Sequence, residues 1–163
     1  MKAEEYIVET IEKYSDMIYK VAYSRVFHKE IAEDIYQEVC FKFSKKLPKF
    51  KNEEHKKAWL IRVTINLSKN YLNSAPRKRN VELDDNIDYE NEELEKVESS
   101  NVLEEIEKLP QDYKTVIYLF YYEGYKVSEI SSLMNVKENT VKTWLSRARE
   151  QLKQSLKGGF EDE

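Results

Sequence analysis

An acidic run divides this chain. Residues 82–107 hold 12 Asp/Glu against the single base Lys96, with few large apolar side chains among them. A stretch of that composition repels itself and lacks the apolar surface that would repay ordering it. Residues 81–100 therefore read as a flexible acidic linker, although a solvated tether with no specific contact explains the composition equally well. Each flank, 1–80 and 101–163, must then build its own modest core.

Both flanks are patterned as helix. In the first, Ile7, Ile11, Tyr14, Ile18 and Val21 step by four and three, placing one apolar stripe on a helix. A second helix is predicted from about Lys29 to Lys46, with Ala32, Ile35, Tyr36, Val39 and Phe43 inward and Pro48 ending it. The third, roughly Glu54 to Leu72, carries apolar residues nearly all round, which predicts a helix in the middle of a bundle. Asn73, Ser74 and Pro76 close it, and Arg77, Lys78 and Arg79 follow.

The second flank predicts four short helices. Val102, Ile106 and Leu109 start one that Pro110 ends. Asp112 is the expected N-cap of the next, which runs to near Gly124, and Ser128 the expected N-cap of the third. Asn135 suits a left-handed turn. A last helix from about Glu138 to Leu156 buries Val141, Leu145, Ala148 and Leu152 and exposes Lys142, Arg147 and Arg149. The fold class is all-α, two small helical domains of which the second holds a helix-turn-helix.

Composition removes several functions. One cysteine, Cys40, excludes an internal disulfide, and with only His28 and His55 beside it a Cys/His metal site is disfavoured. There is no Gly-rich phosphate loop and no nucleophile constellation, so no cofactor, small-molecule substrate or enzymatic step is expected. No apolar run approaches the roughly 18 residues of a membrane span, and the N-terminus lacks a secretory pattern. A cytoplasmic chain follows as the expectation.

Val127 to Arg149 has helix-turn-helix spacing: a short helix, a turn, then a longer amphipathic helix whose start enters the major groove. That start offers Lys137, Glu138, Asn139, Thr140 and Thr143 to base edges, while Lys142, Arg147 and Arg149 can neutralise phosphates. A terminal helix with a merely solvated charged face has the same pattern. On the second predicted helix, Asp34, Gln37, Glu38 and Phe41 fall at i, i+3, i+4 and i+7 and share one face, an acidic and partly apolar patch suited to a basic helical partner.

These pieces resemble the sigma-70 family of RNA polymerase sigma factors. LPQDYKTVIYLFYYEGYKVSEISSLMNVKENTVKTWLSRAREQL (Leu109 to Leu152) is similar to their C-terminal DNA-binding region, most tellingly at Thr140-Val141-Lys142 and Ser146-Arg147-Ala148-Arg149. AEDIYQEVCFKF (Ala32 to Phe43) resembles the region that docks on the β′ clamp helices, and KAWLIRVTINLSKNYL (Lys57 to Leu72) the neighbouring region that opens and reads the −10 element. Two such regions joined by an acidic linker in so short a chain match the extracytoplasmic-function (ECF) group.

The resemblance implies a transcription initiation factor. Its partners would be core RNA polymerase (β′ clamp helices and β-flap), promoter DNA and an anti-sigma factor that could hold it at the membrane. Asp34, Gln37, Glu38 and Phe41 would bind polymerase. Arg62, Asn66, Lys69 and Asn70, continued by Arg77, Lys78 and Arg79, would touch −10 DNA, and Phe50 and Asn52 would hold an unstacked base. Lys137, Glu138, Asn139, Thr140, Lys142, Thr143, Arg147 and Arg149 would read −35.

The chain departs from the family at several points. Asn70 and Asn73 stand where an Asp and an Arg are usual, Ser131 replaces an Ala, and Asn135 a Gly. Lys137 replaces a hydroxyl N-cap, at a cost of about 1 kcal/mol. A stand-alone helix-turn-helix regulator with an N-terminal dimerisation bundle is the alternative reading.

Overall fold

The computed structural model describes residues 2–73 and 101–160, all of whose regular elements are helical. The chain divides into two compact units, Met1–Glu82 and Leu83–Glu163. The acidic linker and the basic run Arg77 to Arg79 lie outside the described residues.

The first unit is a bundle of α1 (Ala3–Val26), α2 (Lys29–Lys46) and α3 (Glu53–Leu72). The expected stripe on α1 is buried at Tyr14, Ile18 and Val21, joined by Met17 and Ala22, while Ile7 and Ile11 are half-buried. Phe27 ends α1 in the left-handed conformation (φ 48°), its N–H donating to the Tyr23 carbonyl at 2.8 Å. His28 then caps α2, its Nδ1 accepting the Ile31 N–H at 3.3 Å. So short a connector makes α1 and α2 an antiparallel pair. Leu47 (φ 39°) repeats the left-handed stop on α2 just before Pro48.

On α3 the structure corrects the sequence reading. Only Lys56, Leu60, Ile61, Thr64, Ile65 and Ser68 are buried, whereas Arg62, Asn66 and Asn70 are exposed and Trp59, Val63 and Leu67 half-buried. In a bundle of three, each helix packs on the other two, so none is enclosed. The two buried hydroxyls are satisfied within the helix: Thr64 Oγ1 donates to the Leu60 carbonyl at 2.7 Å and Ser68 Oγ to the Thr64 carbonyl at 2.8 Å.

The second unit holds α4 (Asn101–Glu107), α5 (Gln111–Ile117) running into a π-helical turn at Tyr118–Tyr122, α6 (Val127–Met134) and α7 (Glu138–Phe160). Its core is Leu109, Val116, Ile117, Leu119, Ile130, Leu133, Met134, Val141, Leu145 and Ala148. α7 packs against α4, α5 and α6. Gly124 (φ 74°) takes a left-handed conformation after the π turn that a side chain would strain.

Two expected caps are displaced. Pro110, not Asp112, is the N-cap of α5, because the Lys114 N–H already bonds the Pro110 carbonyl at 3.0 Å. Lys126, not Ser128, is the N-cap of α6. Its side chain has no acceptor, and instead Glu129 Oε1 reaches back to accept the Lys126 N–H at 2.8 Å.

The turn between α6 and α7 forms as the sequence suggests, with Asn135 at φ 56°, ψ 50°. Ser131 fastens it twice: its carbonyl accepts the Val136 N–H at 3.1 Å and its Oγ donates to the Val136 carbonyl at 2.5 Å. Ser131→Ala should remove the second bond and destabilise this unit by about 1 kcal/mol. In thermal denaturation of the full chain that is a fall of roughly 4–8 °C in the transition of a unit this size. An unchanged transition would show that the hydroxyl bond adds nothing over water.

Candidate docking and nucleic-acid interfaces

The first surface is the outward face of α2. Asp34, Gln37, Glu38 and Phe41 are all exposed, while Ile31, Ala32, Ile35, Val39 and Phe43 fill the opposite face. Phe41 keeps 60% of its surface in water, and the Lys45 ammonium lies 5.5 Å from its ring centroid. Asp34 and Glu38 also line a cleft of about 380 Å³ with Ile35 of α2 and Leu67, Asn70 and Tyr71 of α3. The expected docking face is thus contiguous with one end of the expected −10 face. Behind it Cys40 is half-buried, and burial pushes its thiol up.

The second surface combines α3 with the loop that precedes it. Arg62, Asn66 and Asn70 are exposed along one stripe and Lys69 is half-buried beside them. In the loop, Phe50 is half-buried in an aromatic cluster: parallel to Phe43 at 6.5 Å, and edge-on to Trp59 at 5.8 Å and His55 at 5.6 Å. Asn52 is exposed and caps α3, its Oδ1 accepting the His55 N–H at 2.8 Å. The sequence signal for this role, which periodicity alone passes over, is an Asn directly ahead of the acidic pair Glu53-Glu54. The cap takes one lone pair of Oδ1 and leaves both Nδ2 donors of the exposed Asn52 uncommitted.

Next to Asn52, Glu53 ties the start of α3 to α1. Its Oε2 accepts the Tyr14 hydroxyl at 2.6 Å and the Lys13 ammonium at 3.3 Å, and its Oε1 accepts Lys56 Nζ at 2.9 Å. Lys56 is buried, with Nζ 3.5 Å from Thr10 Oγ1 and 4.5 Å from the Tyr6 ring centroid. Burial opposes its charge, yet Glu53 and Tyr6 outweigh that and its pKa ends above the usual value.

The Tyr14 hydroxyl, with Lys56 second, holds the Glu53 carboxyl far below the usual carboxylate range, at about 2. A depressed carboxyl stabilises the fold above its unfolded value and loses that stabilisation as it protonates. The stability difference between the wild type and Glu53→Gln should therefore be constant above about pH 4.5 and shrink as pH falls towards 2. Glu53 is 54% exposed, so water screens the pair and the difference should be small. Melting temperature against pH for both proteins checks this; parallel curves down to pH 2 would contradict it.

The third surface is the start of α7. Lys137, Glu138 and Asn139 are exposed, Thr140 is half-buried, and Lys142, Thr143, Arg147 and Arg149 are exposed. These do not form a single face. Arg147 lies in line with Thr140 and Thr143, whereas Arg149 lies on the other flank with Lys142, since residues two apart on a helix point away from each other. Arg149 is also engaged: its Nε donates to the Tyr121 hydroxyl at 2.6 Å and its guanidinium covers the Phe120 ring at 5.4 Å. That contact spans 28 positions in the chain and had no local signal beyond the aromatic run Tyr118-Leu119-Phe120-Tyr121-Tyr122.

Two family models match. The sigma-70 region 2 model matches residues 10–78 and the sigma-70 region 4 model residues 99–152. The chain is 29% identical over 143 residues to RNA polymerase sigma factor SigV of Bacillus subtilis, covering 87% of this chain and 86% of that one. It is 27% identical to ECF RNA polymerase sigma factor SigW of the same organism, covering 91% and 88%. The chain belongs to the sigma-70 family, ECF group. Like its family, this sigma factor is a transcription initiation factor that directs transcription to promoters.

Fold agrees with this assignment. The sigma factor RpoE of Bartonella quintana, solved in complex with the anti-sigma factor NepR, superposes with a TM-score of 0.64 at 23% identity, covering 91% of this chain and 95% of that one. In this sigma factor the region 2 match spans most of α1, all of α2, the loop and α3, and the region 4 match spans the helix-turn-helix. Among the described residues no helix is long and apolar enough to cross a membrane.

Proposed function

We propose that this sigma factor docks on core RNA polymerase through Asp34, Gln37, Glu38 and Phe41, and contacts promoter DNA at two further places. The observation that carries the docking assignment is the α2 face. A large aromatic side chain left 60% in water beside two carboxylates, opposite a fully buried face, has no role in the unit's own core. The β′ clamp helices are its proposed partner, and the β-flap that of the second unit.

Arg62, Asn66, Lys69 and Asn70 on α3, with Arg77, Lys78 and Arg79, contact the −10 region. The Phe50–Asn52 loop holds a base of the opened non-template strand. Asn52 presents its amide to that base, while Phe50 serves as wall rather than stacking platform. Lys137, Glu138, Asn139, Thr140 and Thr143 face the −35 major groove. Lys142 and Arg147 contact phosphates on either flank, and Arg149 does so only from the position Tyr121 holds it in. No bond is made or broken; binding energy on unstacked bases offsets the cost of opening the duplex.

The neighbour RpoE is bound to an anti-sigma factor. An anti-sigma partner that occludes these surfaces is proposed for this chain too, acting in the cytoplasm. Run-off transcription with purified core enzyme on genomic fragments tests the assignment, and sequencing the transcript starts yields both promoter elements. Transcripts that start at defined sites are expected. Their absence on every fragment, or tight duplex binding by the chain without polymerase, would favour the stand-alone regulator instead.

A further inference from the structure

The Phe50–Asn52 loop is short, exposed at Asn52 and without regular structure, yet contacts close around it from both ends. On the aromatic side, Phe50 lies parallel to Phe43, and Phe43 packs against Tyr6 at 5.7 Å. On the polar side, Lys56 sits over that same Tyr6 ring and reaches Glu53, the residue next to Asn52. Tyr14, 7% exposed, donates the shortest bond in the set to Glu53. Within the loop, the Lys51 N–H donates to His55 Nδ1 at 3.4 Å and the His55 N–H to Asn52 Oδ1. A ring of contacts therefore runs Phe50, Phe43, Tyr6, Lys56, Glu53, Asn52, and α1 supplies its anchor.

We propose that Glu53, held by Tyr14 and Lys56, is a positioning residue that aims the Asn52 amide at the captured base, so that base selection at one position of the opened strand depends on it. The inference rests on the proposed role of this loop and deepens it. Capture of a flipped base requires its partner group to be fixed before the base arrives, because the entropy lost in ordering the loop on binding would cancel the hydrogen bond to the base. Glu53 touches no DNA in this scheme. Its carboxylate fixes the first turn of α3, and that turn fixes the cap bond which leaves Asn52 showing Nδ2 donors. The base edge that fits is one presenting acceptors, a carbonyl oxygen or an unprotonated ring nitrogen.

Selection from randomised DNA tests it. Holoenzyme made from the full chain and core polymerase is equilibrated with a pool of fork-junction DNAs whose non-template overhang is randomised, and bound molecules are sequenced. Wild type should select a base with an acceptor edge at one overhang position. Asn52→Asp keeps an N-capping oxygen but removes the donors, and should abolish that preference. Glu53→Gln and Tyr14→Phe should each flatten the same position by roughly two- to fivefold, the range expected where water screens the carboxylate, with other positions and core affinity unchanged. Their double variant should be no worse than either alone, since both act through one contact.

If wild type and Asn52→Asp behave as stated but Glu53→Gln and Tyr14→Phe keep the preference, the positioning role is overturned and the capture loop stands. If both variants lose all positions equally with a lowered melting temperature, Glu53 is only structural and the inference is likewise overturned. No preference anywhere in the wild-type overhang would overturn the capture reading and this inference together.

Discussion

Reversing both charges on the α2 face, Asp34→Lys with Glu38→Lys, should weaken binding to core RNA polymerase by on the order of a hundredfold or more, since like charges juxtaposed at an interface cost several kcal/mol. Both side chains are exposed and lie one helical turn apart, lining the same cleft. Neither takes part in the core, so the helical content and melting temperature of the chain should hardly change. Competition against the wild type for labelled core enzyme measures the affinity, and circular dichroism checks the fold. Affinity within a few-fold of the wild type would remove this face from the docking surface. Phe41→Ala should act in the same direction by losing apolar contact, while also leaving the fold intact.

Two positions further along the same helix the consequence inverts. Phe43 is fully buried, against Tyr6, Phe50 and Trp59, so Phe43→Ala leaves a cavity at the centre of the aromatic cluster. The expected cost is about 3–5 kcal/mol, a large share of the net stability of a unit this size. Chemical denaturation of the full chain should show the first unit's transition moved to much lower denaturant, with the second unit's transition in place. Because Phe43 backs Phe50, base selection at the loop should fail in this variant before core docking does. A loss below about 1 kcal/mol would mean the cluster collapses to fill the space. Paired with Phe41→Ala, the experiment separates stability from recognition on one helix.

Periodicity and punctuation made much of the architecture legible. Spacings of three and four apolar residues marked the helices, Pro48 and Pro110 their breaks, and Asn135 the left-handed turn of the helix-turn-helix. That Asp34, Gln37, Glu38 and Phe41 share one outward face of α2 was legible for the same reason: four residues at i, i+3, i+4 and i+7 must share a face whatever the helix packs against. Caps were less so. Asp112 and Ser128 have the right chemistry at the wrong position, because a helix starts where its first backbone bond closes, and Pro110 and Lys126 supplied that without a capping side chain.

What tertiary structure alone decided involves partners distant in the chain. α3 looked enclosed because its apolar residues encircle it, but a bundle of three covers only one side, so Trp59 sits at the rim and Arg62, Asn66 and Asn70 keep to water. Arg149 has the pattern of a phosphate contact, and only the fold shows Tyr121 taking up its guanidinium. The bond from Tyr14 to Glu53, 39 positions apart, had no sequence signal at all. From the acidic run alone two small cores were to be expected, since self-repelling charge with little apolar surface builds no core of its own, and the chain does divide into two compact units. Which side chains each core left on the surface depended on how the helices packed, and local pattern carries no record of that.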